Sequence, residues 1–138
     1  MKNQLLAIVG LGLLLAAASG YAQTGVVKAN VPFNFIVGQI TLPAGEYMVQ
    51  SFNPSGTAMT VQSSDRKLAK MVLVNACESV KASEKTKLVF HSYGGQYFLA
   101  QIWRAGGTRG KELPKTRRER EVAMDYSSRN VVVLATLR

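Results

Sequence analysis

The stretch that most constrains this chain is residues 86–104, TKLVFHSYGGQYFLAQIWR. Two apolar runs meet at Gly94-Gly95. A two-residue Gly-Gly loop suits a tight hairpin turn, because both central positions can take positive φ without a Cβ clash. With those glycines as the loop, Tyr93 faces Gln96, Ser92 faces Tyr97, His91 faces Phe98 and Phe90 faces Leu99. Strict alternation puts Leu88, Phe90, Tyr97, Leu99 and Trp103 on one face, and Val89, His91, Tyr93, Phe98, Ala100 and Ile102 on the other. Both faces are apolar enough to need cover, so the hairpin is expected in the middle of a β-sheet domain.

The rest of the chain has the same character. Residues 27–37, VKANVPFNFIV, alternate with period two, and Pro32 marks a sheet edge or a bulge. Pro43-Ala44-Gly45 and Asn53-Pro54-Ser55-Gly56 are turn signals on either side of a strand over residues 46–52. Further strands are expected over residues 58–62 and 67–75, with a charged loop over residues 78–85. Residues 104–115, RAGGTRGKELPK, are glycine-rich and basic and are expected to be a mobile loop.

Thr116-Arg117-Arg118-Glu119 has the form of a capping box. The Thr hydroxyl accepts the N–H of residue 119, and the Glu119 carboxylate returns to the N–H of residue 116. A helix should follow from about Arg117 to Tyr126, with Val122, Ala123 and Tyr126 facing the sheet. The continuous VVVLATL of residues 131–137 suits a buried last strand. The expected fold is all-β and mainly antiparallel: a small sandwich or barrel of about seven strands with one short C-terminal helix.

The first 22 residues have the form of a secretory signal peptide. Lys2 precedes an apolar run over residues 5–18, and small residues lead to a cleavage point between Ala22 and Gln23. The run is shorter than the ~18 residues that a spanning helix needs. The expectation is therefore export, periplasmic or extracellular, of a single β-rich domain over residues 23–138. That length can bury a core without metals or disulfides. The single cysteine, Cys77, leaves no internal disulfide and is expected to be a small buried hydrophobe. After cleavage, sixteen Lys and Arg stand against eight Asp and Glu, a net charge of +8. Such a balance suits anionic polysaccharide or an envelope surface, and also keeps a small protein soluble.

Three segments together resemble a known group: VPFNFIVGQITLPAGEYMV (residues 31–49), LVFHSYGGQYFLAQIW (residues 88–103) and GKELPKTRRERE (residues 110–121). The combination resembles a family of small secreted bacterial proteins, each with a signal peptide and a predicted β-rich domain, for which no activity is established. The resemblance implies export and a β-rich fold and carries over no catalytic residue. In that family the position of Ser92 is often Arg and that of Gly95 often acidic, and this chain departs at both.

Signals for chemistry are sparse. The only histidine, His91, would have to serve any Ser–His–Asp triad, with Asp65 or Asp125 as its orienter, and no Gly-x-Ser-x-Gly elbow presents a serine. One His and one Cys far apart do not make a zinc site, no acidic cluster has calcium-loop spacing, and no motif for a cofactor is present. Glu46 and Glu78 are the only carboxylates to consider as a hydrolytic pair. These features point away from an enzyme.

The most suggestive feature is a basic segment: Arg104, Arg109, Lys111, Lys115, Arg117, Arg118 and Arg120. Arg117 and Arg118 fall in the first helical turn, where the macrodipole disfavours cations by ~0.3–1 kcal/mol each. An anion held by the loop and the helix start would account for them, as would plain surface ion pairs such as Arg117–Glu121. The leading expectation is a non-enzymatic binding protein for an anionic glycan or lipid headgroup. Two alternatives are a barrel carrying an apolar ligand among Phe33, Phe35, Phe90 and Trp103, and a subunit that assembles through its sheet edges. The aromatics sit in the hairpin and do not interleave with the basic residues, which argues against nucleic acid.

Overall fold

The structure is a computed structural model that describes residues 25–137. The predicted signal segment and its cleavage point lie outside the described residues. Eleven strands and one helix follow in chain order. They are β1 (Val27–Val31), β2 (Phe35–Val37), β3 (Ile40–Leu42), β4 (Gly45–Ser51), β5 (Ala58–Ser63), β6 (Ala69–Leu73), β7 (Asn75–Glu78), β8 (Lys87–Tyr93), β9 (Gln96–Trp103), β10 (Arg109–Glu112), the helix α1 (Arg117–Asp125), and β11 (Arg129–Leu137).

The strands form one curled sheet, a half-barrel, in the order β3-β2-β9-β8-β11-β1-β4-β5-β6. The sheet is mixed, with β2 parallel to β9 through Ile36 and Phe98. The expectation of about seven mainly antiparallel strands is corrected on both counts. The reason lies in two short pieces. Pro32 splits the expected first strand into β1, flanked by β11 and β4, and β2, which crosses to β9. The glycine-rich basic loop contains a strand of its own, β10, which pairs with both β7 and β9.

Only Val74 separates β6 from β7, so the ladder that ends at β6 returns through β7 and β10 towards β9. The β2–β3 turn lies against the β6 edge. A Cβ on Gly38 would sit 3.3 Å from Lys70 Cε.

The β8–β9 hairpin is central, as its sequence implies. Gly94 and Gly95 both have positive φ, 53° and 86°, and the four pairs nearest the turn are in the expected register. Gly94 is required for a second reason. The Tyr126 ring lies over it, and a Cβ there would meet Tyr126 Cδ1 at 2.7 Å.

Further from the turn the expected faces hold on β8 and are overturned on β9. A register shift between Val89 and Phe90 leaves Ala100 without a partner: Phe90 pairs with Leu99, and Val89 pairs with Gln101. A single extra residue exchanges the faces of everything beyond it. Ile102 therefore joins Leu88, Phe90 and Leu99 in the main core, and Trp103 turns to the opposite, outer face. There the indole lies on the backbone of Gly110, where a Cβ would come within 2.7 Å of Trp103 Cε3.

The inner face of the curl holds the core, built on Val27, Val31, Phe35, Val49, Leu88 and Phe90. On the outer face, α1 covers the end of the hairpin nearest its turn, with Val122 packed on Ile36, Tyr93 and Phe98. Ala123, expected against the sheet, is exposed, and Tyr126 is half-exposed above Gly94. The last strand is corrected too. In β11 Val133 is buried, while Val132 and Leu134 point outward and are 50% and 56% exposed. No residue of α1 lines the cavity that they border.

Candidate functional site

The basic segment divides into two groups. Arg104, at the end of β9, donates from Nη2 to the carbonyl of Gly25 at 3.2 Å. On β10, Arg109 faces Glu78 of β7, and Nε lies 3.5 Å from the carboxylate in an exposed pair. Lys111, two residues on, reaches across towards the β4–β5 turn. Its Nζ would be 2.9 Å from a Cβ on Gly56.

These three side chains share one cavity of about 360 Å³ with Ser51, Met59 and Ile102. Met59 and Ile102 belong to the inner core, so the cavity is an open end of the half-barrel with an apolar floor and a cationic rim. β10 builds this rim because strand alternation points Arg109 and Lys111 the same way, while Gly110 turns under Trp103.

Lys115, Arg117, Arg118 and Arg120 do not line that cavity. Lys115 precedes α1, and the three arginines are exposed on it, with Arg117 Nε bonded to Glu121 at 3.1 Å. The helix start is capped as expected, with the Glu119 N–H donating to Thr116 Oγ1 at 3.2 Å. The other half of the capping box is absent, because the Glu119 carboxylate turns inward.

Glu119 is 4% exposed, the only buried acid among the described residues. Its Oε2 accepts the Tyr93 hydroxyl at 2.9 Å and lies 3.0 Å from His91 Nδ1. Burial first, and then the bond to Glu119 and its charge, push the Tyr93 phenol up to about 12. The phenol thus stays protonated and donating at any ordinary pH. The orienting carboxylate beside His91 is neither Asp65 nor Asp125. Asp65 is tied up in the β5–β6 turn by Ser63 Oγ at 2.6 Å and the Lys67 N–H at 3.0 Å, and these bonds hold its carboxyl below the usual range.

None of the five described cavities is lined by His91, Tyr93 or Glu119. Chemically the cluster is a polar clamp that ties α1 to β8. A signal for it was present in the sequence: Glu119, Val122 and Tyr126 recur at i, i+3 and i+7, one helical face.

The remaining candidates are placed apart. Glu46 lies on β4, 2.7 Å from Lys28 Nζ, and Glu78 lies on β7. Cys77 is half-buried on β7 opposite Gly110, and burial, then the charge of Glu112, raises its thiol above the ordinary value. Phe33, Phe35 and Phe90 pack on one another and on Tyr97 and Tyr47, with Phe33 stacked on Tyr97 at 3.9 Å between ring centroids. Trp103 is on the other side of β9, so these four aromatics do not line one cavity. Among the described residues no group of three His, Cys, Asp or Glu side chains is placed to hold a metal ion, and no helix is long and apolar enough to cross a membrane.

Compared with known proteins, the chain matches no family model, no curated protein and no solved structure.

Proposed function

We propose that this protein is an exported, non-enzymatic binding protein for an anionic group, a phosphate or carboxylate carried by an envelope glycan or a lipid headgroup. The observation that carries the reading is the convergence of Arg104, Arg109 and Lys111 on one cavity at the open end of the half-barrel. Guanidinium groups offer paired N–H donors to such oxyanions, and an ammonium adds a compact charge. Lys111 strengthens the case, since it has no carboxylate partner among the described residues. The positive balance of the chain would draw polyanions towards it at low ionic strength. Of the seven basic residues three carry the reading, because Lys115, Arg117, Arg118 and Arg120 do not line that cavity.

The test compares two double variants, Arg109→Glu with Lys111→Glu, and Arg117→Glu with Arg118→Glu. Binding to dextran sulfate and to vesicles containing phosphatidylglycerol is measured at low and at physiological salt. The expected result is a loss of about tenfold or more for the cavity pair, corresponding to about 1.4 kcal/mol, and a smaller loss for the helix pair. Preference for vesicles over dextran sulfate identifies a headgroup, and the reverse identifies a glycan. Equal losses from both pairs, or none, would overturn the reading.

A further inference from the structure

The largest of the described cavities, about 570 Å³, is elsewhere, on the outer face of the sheet, and no residue of α1 lines it. Its floor follows from the register. Val132, Val89 and Gln101 lie side by side across β11, β8 and β9, and Leu134, Lys87 and Trp103 form the next row. The segment of residues 79–85 walls one side and brings Lys81 and Lys85 to the rim beside Lys87, against a single acid, Glu84. β11 pairs with β8 over residues 129–134 and with β1 only over residues 135–137, so Val132 and Leu134 lie where β8 is the one neighbour, and both are half-exposed.

We infer that this groove binds an aliphatic chain ended by an anionic head, a carboxylate or a phosphate. The volume is that of a small-molecule site, with apolar side chains (Val132, Leu134 and Trp103) on the floor and lysines and serines around it. The charge of the rim selects the sign of the head. A sugar fits the floor poorly. The indole is only 7% exposed, one of its faces lies on Gly110, and its N–H is already donated to Gln101 Oε1 at 2.9 Å. What the floor offers instead is the exposed methyl groups of Val132 and Leu134, which gain from excluding water. The site shares no residue with the cationic open end, so either reading can fail without the other.

Trp103 is the only tryptophan of the chain and lies in the groove, so its emission is a built-in reporter. Decanoate, decyl phosphate, decanol and decyltrimethylammonium are titrated below their micelle thresholds while Trp103 emission is followed. The expected result is a saturable change with the two anions, at least tenfold tighter than with the cation or the alcohol, and the tighter anion identifies the head. Leu134→Glu, at an exposed position, should abolish saturation while its thermal unfolding stays near that of the parent. Lys85→Glu with Lys87→Glu should remove the preference for anions. No saturable change, equal binding of anion and cation, or unaltered binding by Leu134→Glu would overturn the inference. So would a protein mass that doubles with concentration and reverts to the monomer in Leu134→Glu, which would assign the face to a second copy of the chain.

Discussion

The two ends of the β8–β9 hairpin share one outer face but differ in what covers it. Near the turn, Tyr93 and Phe98 lie under α1, and the Glu119 carboxylate is drawn in to meet His91 and Tyr93. At the other end Val89 and Trp103 belong to an open groove beside Val132 and Leu134. The residue types are alike, so apolar character alone does not decide cover. What differs is whether an amphipathic helix lies above. A buried acid is tolerated at the closed end because two donors meet it, and the open end carries lysines at its rim because no helix seals it.

The largest effect is expected at the closed end. Glu119→Ala leaves the Tyr93 hydroxyl and His91 Nδ1 without their acceptor under the helix, and stability should fall by about 2–4 kcal/mol in denaturant unfolding. A loss under about 1 kcal/mol would mean that α1 is held by Val122 and its cap alone. A smaller and pH-dependent effect sharpens the same point. The folded-state value of Tyr93 is raised to about 12, while an unfolded phenol ionises near 10. Between those values the unfolded chain sheds a proton that the folded chain keeps. The stabilisation is therefore full below about pH 10 and is lost as pH climbs towards 12. The midpoint of thermal unfolding should fall more steeply over that range in the parent than in Tyr93→Phe, and parallel curves would count against the buried phenol. The smallest effect belongs to the open end, where Leu134→Ser should change stability by no more than about 0.5 kcal/mol. A larger loss would mean that the groove is closed by contacts within the chain, which would erase the contrast between the two ends.

Much of the candidate site was visible beforehand, though not its grouping. The basic residues stand out in the sequence, but dividing them needs β10, and β10 has little strand signal of its own. Arg109, Gly110, Lys111 and Glu112 are a strand because β7 and β9 offer free edges on either side. Glu119 was legible as a capping residue from its spacing to Thr116, and that local rule held for its backbone. Its side chain went to the stronger partners that the sheet brought within reach.

The sequence by itself determined what depends on a residue and its near neighbours. The Gly94-Gly95 turn, the register of the four pairs beside it, the Thr116 cap and the alternation of Val27, Ala29 and Val31 follow from allowed φ, period two and one short hydrogen bond. Tertiary structure decided what depends on pairing between distant segments. It set the parallel contact of β2 with β9, the strand in the basic loop, the partner of Glu119 and the uncovered face of β11. It also placed the unpaired Ala100 that turns Trp103 outward and Ile102 in. A bulge costs little locally but reverses every side chain beyond it, so faces can be read from sequence only as far as the register is unbroken.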